Sequence, residues 1–212
     1  AWLKRKGIRA SLVNNGDDCV LIMERKDFGS FSDGYYDYCL SMGFRMVVEP
    51  MVDVFEKIQF CQTQPVWTPT GYIMVRDHFL ARAKDVSTHN LNQGTRKQYE
   101  TWISSVGACG LSLTGGIPVF QSFYSSLVRA SNGRVPSLAY EDKHQGKFIL
   151  AKNMSRKVEE IHWQTRYSYW LAFGILPDHR KEIEQYYDSF TPFYTADNGI
   201  FCRVGVWDGS WG

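Results

Sequence analysis

Two short apolar runs, residues 8–13 and 19–23, are separated only by Asn14, Asn15, Gly16, Asp17 and Asp18. An Asn-Gly step between partly β-branched runs leaves the backbone few options. Both residues tolerate the positive φ of a type I′ turn, whose twist matches that of paired strands. The pattern predicts a β-hairpin with two carboxylates at its tip. Adjacent carboxylates at a tight turn repel, because like charges within about 4–6 Å push one pKa upward. A divalent cation removes the conflict. Oxygen ligands suit Mg²⁺ or Mn²⁺, which take one or two protein carboxylates and leave the rest of the shell to water and phosphates. Strand side chains alternate sides, so the two acids need not share an ion equally. Asp17 is expected as the principal ligand and Asp18 as the second. The bare Gly-Asp-Asp triplet fits a solvated turn as well, since acids favour loop conformations.

Beyond the hairpin, residues 31–43 read as a helix, capped by Ser32 or Asp33 and stopped at Gly43. A strand is expected through Met46, Val47 and Val48. A second hairpin is expected from Ile58 to Cys61 and Gly71 to Val75, around a turn from Pro65 to Thr70. After Arg76 the period changes from strand to helix. Thr95 with Gln98 forms a capping box, and Tyr99, Trp102, Ile103 and Val106 share one helical face. Pro118 opens another helix, with Val119, Phe120, Phe123, Tyr124, Leu127 and Val128 at matching spacing and Asn132 and Gly133 as its stop. A loop from Arg134 to Lys147 follows, then helices from Ser155 to Phe173 and from Pro177 to Tyr187. The Gly-rich end from Gly199 to Gly212 is expected to have little regular structure. The fold class is therefore α+β, with antiparallel hairpins before residue 76 and mainly helix after it.

With 44% hydrophobic and 15% aromatic residues the chain has the makings of a globular core. No apolar stretch approaches the ~18 residues a membrane span needs, and the amino-terminal residues lack a signal-peptide core. Cys19, Cys39, Cys61, Cys109 and Cys202 stand singly, and His78, His89, His144, His162 and His179 form no metal-binding pattern. Buried thiols in a reducing compartment are expected, with neither a zinc module nor a disulfide framework. The net charge of +2 hides a segregation: residues 76–157 carry 12 basic and 5 acidic side chains, whereas residues 27–75 carry 2 and 6. Clustered Lys and Arg can form a track for a polyanion, or they can simply solvate helices. The helical aromatics read mostly as core. Trp163, Tyr167, Tyr169 and Trp170 are too dense for one face, so some are expected at the surface or against another domain.

The run from Ser11 to Arg25, with Gly16, Asp17 and Asp18 at its centre, resembles the catalytic palm hairpin, motif C, of positive-strand RNA virus RNA-dependent RNA polymerases. It is most similar to the tombusvirus and carmovirus replicases of plants. The helix over 31–43 together with Gly43 to Pro50 resembles motif D, and Glu56 to Gln62 resembles the motif E primer-grip hairpin. The resemblance implies a partial palm over residues 1–75 and a thumb over 76–212. It further implies nucleotidyl transfer with two metal ions, Mg²⁺ or Mn²⁺, for which Asp17 and Asp18 supply motif C's share of ligands. Phe60, Cys61 and Gln62 would lie near the growing RNA end, and the basic segment would line the RNA path. Template and product RNA and nucleoside triphosphates are the implied partners. The implied location is the host cytoplasm, in membrane-associated replication complexes tethered by sequence or partners outside this chain.

Two departures stand out. Motif D often carries a lysine as general acid, but here the matching stretch has Arg45, with Lys57 further on. Arginine stays protonated, so Arg45 suits charge neutralisation rather than proton transfer. The family's motifs A and B, and the fingers, precede motif C, whereas this chain begins at Ala1 just before the hairpin, as a piece of a longer polypeptide would. The isolated chain is therefore expected to be inactive. The alternative, from another class, is a non-enzymatic RNA-binding module that grips RNA with the basic helical segment.

Overall fold

The computed structural model describes residues 1–87, 95–134, 136, 150–189, 193–195 and 199–201. They form an α+β chain that divides into two compact units, Ala1–Pro65 and Val66–Gly212. The palm–thumb boundary expected at residue 75 is a different division from this one.

In the first unit α1 (Trp2–Lys6) precedes a hairpin of β1 (Ala10–Asn15) and β2 (Asp18–Met23). The register pairs Ala10 with Met23 and Asn15 with Asp18, so Gly16 and Asp17 alone make the loop. The turn differs from expectation in type. Of the two loop residues only Gly16 has a positive φ, +68°. That is the requirement of a type II′ turn, whereas type I′ needs it at both. Asn15 remains in the strand, and the glycine carries the unusual conformation. Asn14 fastens the loop by donating from Nδ2 to the carbonyls of Gly16 (3.2 Å) and Asp18 (3.3 Å).

The helix expected over 31–43 is broken into α2 (Phe28–Ser32) and α3 (Tyr35–Ser41), because Gly34 turns the chain with φ +79°. Gly43 stops α3 as expected, with φ +84°. The Trp2 indole donates to the Phe31 carbonyl (2.8 Å) and lies 4.9 Å from the Tyr38 ring, which seats α1 on this helical pair. The strand expected through Met46, Val47 and Val48 does not form. Residues 44–54 have no regular structure and Val47 is 86% exposed. β-Branched residues favour extended structure mainly through cross-strand packing, and no described strand pairs with this stretch.

The second hairpin forms later than expected, from β3 (Thr63–Thr68) and β4 (Gly71–Arg76). Cys61 and Gln62 cut off the earlier run by adopting φ of 51° and 61°. Their turn is closed by Phe60 N–H to the Thr63 carbonyl (2.9 Å) and Thr63 N–H to the Phe60 carbonyl (3.0 Å). Pro65 lies inside β3 rather than in the turn. A two-stranded ribbon leaves each strand an unpaired edge, where a missing N–H costs little.

The second unit contains α4 (His78–Asp85), α5 (Arg96–Thr114), α6 (Phe120–Ala130), α7 (Trp163–Phe173) and α8 (Pro177–Ser189). The Thr95–Gln98 capping box is present at the start of α5. Tyr99, Trp102, Ile103 and Val106 of α5 meet Phe120, Phe123, Tyr124 and Leu127 of α6 in one core with Val66, Val75 and Tyr169. Val128, expected on that face, is instead 37% exposed. Close approach of α5 and α6 depends on Gly107 and Gly110. A methyl on Gly107 would come within 2.8 Å of Val128 Cγ2, and one on Gly110 would overlap the Tyr124 ring. That ring is held in place by its hydroxyl, which donates to Asp85 Oδ2 (2.5 Å). Gly110→Ala therefore opposes two effects. Helix propensity favours alanine by about 1 kcal/mol, while overpacking a filled core costs about 1–3 kcal/mol or more. With the ring immobile the overpacking cost lies at or above the top of its range, about 3 kcal/mol. After subtracting the ~1 kcal/mol propensity gain, urea unfolding is expected to show a net loss of at least about 2 kcal/mol.

The long helix expected from Ser155 is shorter, because residues 155–162 are not helical. Their polar groups are taken by the α5–α6 connection. Arg156 N–H bonds to the Ser112 carbonyl, Arg156 Nε to the Gly115 carbonyl (2.7 Å), and Gln121 Nε2 to the Glu159 carbonyl (3.0 Å). α7 begins only where the His162 ring accepts the Gln164 N–H, and ends at Gly174 as expected. Of its dense aromatics, Tyr169 is fully buried while Trp163 and Tyr167 are 67% and 55% exposed. Apart from Arg134 and Pro136, the loop expected over 134–147 lies outside the described residues, as do His89, His144 and Cys202. At the carboxyl end β5 (Phe193–Thr195) pairs with β6 (Gly199–Phe201), where little regular structure was expected, and residues 202–212 are not among those described.

His78 gives this unit a pH signature. Its ring is buried, with Nε2 bonded to the Tyr187 hydroxyl (3.0 Å) and Nδ1 without a partner among the described residues. Burial, and then the positive charge of Arg82, lower its pKa from 6.5 to about 3. The unfolded chain takes up this proton near pH 6.5 and the folded chain only near pH 3. Stability is thus complete above that window and falls as pH drops through it, by up to about 1.4 kcal/mol per pH unit. Thermal unfolding between pH 7 and pH 5 is expected to lose part of this slope in His78→Gln.

Candidate functional site

The two acids at the hairpin tip differ in surroundings. Asp17 is exposed in the loop, and none of the described residues bonds to its carboxylate. Asp18, the first residue of β2, is half-buried, and its Oδ2 accepts the backbone N–H of Cys61 at 2.5 Å. Asn15 closes a second link, donating from Nδ2 to Cys61 Sγ (3.2 Å). The expected metal ligands are thereby joined to the expected primer-grip residues across 43 positions of sequence. Phe60, half-buried, and Gln62, exposed, flank Cys61 in the same left-handed turn.

A cleft of about 360 Å³ opens beside the tip, and Asp17, Asp18, Arg25, Glu49, Asp53 and Lys57 are its charged lining. Arg25 is ion-paired with Asp53. Tyr35 also lines the cleft, and burial, followed by a hydrogen bond with Cys39, pushes its hydroxyl up to about 12, so it stays protonated. Arg45 is exposed and lies outside this lining, whereas Lys57 is part of it.

The donor set suits a hard cation. Asp17 offers a whole carboxylate, and Asp18 one oxygen beyond the one bonded to Cys61. Mg²⁺ is commonly bound by one or two carboxylates with phosphates and water completing the shell. Among the described residues no group of three or more His, Cys, Asp or Glu side chains is placed to hold a metal ion. The hairpin tip itself offers two carboxylates, Asp17 and Asp18.

Several arginines of the basic segment are engaged internally. Arg96 and Arg134 pair with Glu100, whose carboxyl is held below its ordinary pKa by the Asn132 amide and by these guanidinium groups. Arg129 donates to the carbonyls of Tyr187 (2.6 Å) and Asp188 (3.0 Å), and Arg156 to the carbonyl of Gly115. Lys97, Lys152 and Lys157 are exposed. Sequence reasoning missed Asn14 and Asn15 as the residues that brace the tip. Their doubled amide at a hairpin loop was the available signal. The Cys61 contact had none, because it depends on long-range placement.

The chain matches the family model described as viral RNA dependent RNA polymerase over residues 1–193, and it belongs to that family. It is similar to the RNA-directed RNA polymerase of Tobacco necrosis virus (strain A), with 41% identity over 182 residues, covering 86% of this chain and 25% of that protein. The RNA-directed RNA polymerase of Maize chlorotic mottle virus is 37% identical over 207 residues, covering 96% of this chain and 21% of its own length. That of Carnation mottle virus is 39% identical over 182 residues, covering 84% and 23%. The resemblance to tombusvirus and carmovirus replicases is borne out. The chain spans about a fifth to a quarter of these relatives. No solved structure matches it.

Proposed function

We propose that residues 1–75 are the later part of a polymerase palm, carrying motifs C, D and E, and that residues 76–212 are the thumb of an enzyme that copies viral RNA. The observation that carries this reading is the Cys61–Asp18 hydrogen bond, which sets the candidate primer grip against the candidate metal ligands. Asp17 and Asp18 would hold Mg²⁺ or Mn²⁺ at the hairpin tip. When bound, the metal ions activate the attacking hydroxyl and neutralise charge developing on the phosphates. The protein's own residues place those ions, and Phe60, Cys61 and Gln62 present the RNA end to them. Arg45 would neutralise phosphate charge without moving a proton.

The first unit also points to a covering partner. Leu12, Ile22, Phe44, Val47 and Val48 are each at least half exposed, a larger apolar display than a self-sufficient fold carries. The upstream palm and fingers of the same polymerase, with motifs A and B, are the proposed cover. They would also complete the metal shell, so the isolated chain is predicted to bind metal weakly and not to polymerise. Template and product RNA and nucleoside triphosphates are the proposed substrates, in replication complexes of the host cytoplasm. No described helix is long and apolar enough to cross a membrane.

RNA-templated incorporation of labelled nucleotide tests the reading. It is expected in the complete polymerase with Mg²⁺ or Mn²⁺ and absent from the isolated chain. Robust synthesis by the isolated chain would sink the claim that upstream residues complete the site. The exposed rings of Trp163 and Tyr167 favour an additional, non-catalytic grip on RNA, since bases stack on aromatic side chains. Such binding weakens with salt and survives Asp17→Asn, and a chain that only did this would be the RNA-binding module instead.

A further inference from the structure

We propose that the Cys61–Gln62 turn is a positioning element that fixes the carboxylate of Asp18, so that Asp17 and Asp18 play unequal parts at the metal site. The inference rests on the metal-site reading above. An aspartate carboxylate rotates over a broad range about its last torsion. A charge-assisted bond from a backbone N–H restricts that rotation more strongly than a neutral one. Here the Cys61 N–H points at Asp18 Oδ2 from 2.5 Å.

That N–H belongs to an unusual stretch of backbone. Cys61 and Gln62 are both left-handed, at φ 51° and 61°, though neither is glycine. Side-chain-bearing residues seldom adopt this conformation, and it persists where surrounding contacts over-determine it. Three contacts do so here. Phe60 and Thr63 exchange backbone hydrogen bonds, the Thr63 hydroxyl donates to the Phe60 carbonyl (2.6 Å), and the Asn15 amide donates to Cys61 Sγ (3.2 Å). The arrangement commits Oδ2 to the turn and leaves Oδ1 for a cation at a set position. Asp17, in the loop, adapts to the same ion. Cys61 acts through its backbone, and its thiol is a handle for Asn15 rather than a reacting group.

Mn²⁺ binding to the complete polymerase, followed by the electron paramagnetic resonance signal of free Mn²⁺ without RNA or nucleotide, separates these roles. Cys61→Gly removes the thiol but keeps the N–H and accepts a positive φ. Cys61→Val keeps an N–H but its β-branch resists that φ. Cys61→Val is expected to weaken Mn²⁺ binding about tenfold, the lower range for loss of an outer-shell partner. Cys61→Gly is expected to stay within about twofold of wild type, because glycine adopts the left-handed conformation readily. Partial misfolding would lower the number of sites and leave their half-saturation unchanged, so it does not mimic this pattern. Equal weakening in both variants would assign the effect to the thiol and overturn the proposal, as would no weakening in either. Asp17→Asn is the control for the underlying site. If it binds Mn²⁺ like wild type, the metal-site reading fails and the positioning role falls with it. If it binds weakly while the two Cys61 variants behave alike, only the positioning role fails.

Discussion

Asp17→Asn in the complete polymerase is expected to lower RNA-templated nucleotide incorporation by roughly a hundred- to a thousandfold, the usual cost of losing one charge-stabilising group from an active site. The substitution changes charge with almost no change in shape. Asp17 is exposed in a two-residue loop whose conformation is set by Gly16 and braced by the Asn14 amide. An asparagine there leaves the hairpin intact, so lost activity cannot be attributed to lost fold. The control is the far-ultraviolet circular dichroism spectrum, which is expected to match wild type. An Asp17→Asn polymerase with full incorporation would show that the hairpin is not the metal site.

Phe123→Ala should destabilise the second unit by about 3–5 kcal/mol, as expected for an aromatic deleted from a packed core. Phe123 is 2% exposed, and its ring lies 4.9 Å from Tyr124 and 5.1 Å from Tyr187. It thus joins α6 to α8, and the buried His78 ring also meets it edge-on at 6.2 Å. Neighbours on both elements are anchored, Tyr187 to His78 and Tyr124 to Asp85, so they cannot collapse into the space left. Denaturant unfolding followed by near-ultraviolet circular dichroism measures the loss. A change below about 1 kcal/mol would mean that the site relaxes and that the core is less rigid than its contacts imply.

How far the sequence could be read follows from the range of the forces involved. The tip hairpin, the Thr95–Gln98 capping box and the buried face Tyr99, Trp102, Ile103 and Val106 all depend on residues within a few positions of one another, and each was legible. So were the stops at Gly43 and Gly174, which need only a residue that accepts positive φ. The errors share the opposite cause. Val47 and Val48 have strand propensity, but no described strand pairs with them. Residues 155–162 looked helical, but their polar groups bond to Ser112, Gly115 and Gln121 instead. Ile58 to Cys61 looked like a strand, but the left-handed pair at Cys61 and Gln62 ended it first.

The candidate site divides in the same way. Asp17 and Asp18 were identifiable because a Gly-bearing loop between apolar runs must turn, and the turn must carry its acids at the tip. Side-chain alternation already ranked Asp17 ahead of Asp18, but the bond that engages Asp18 was not identifiable, since Cys61 meets it from 43 residues away. A hairpin's shape is written in local dihedral preferences, whereas the aim of one carboxylate oxygen is decided by whatever distant backbone the completed fold brings against it.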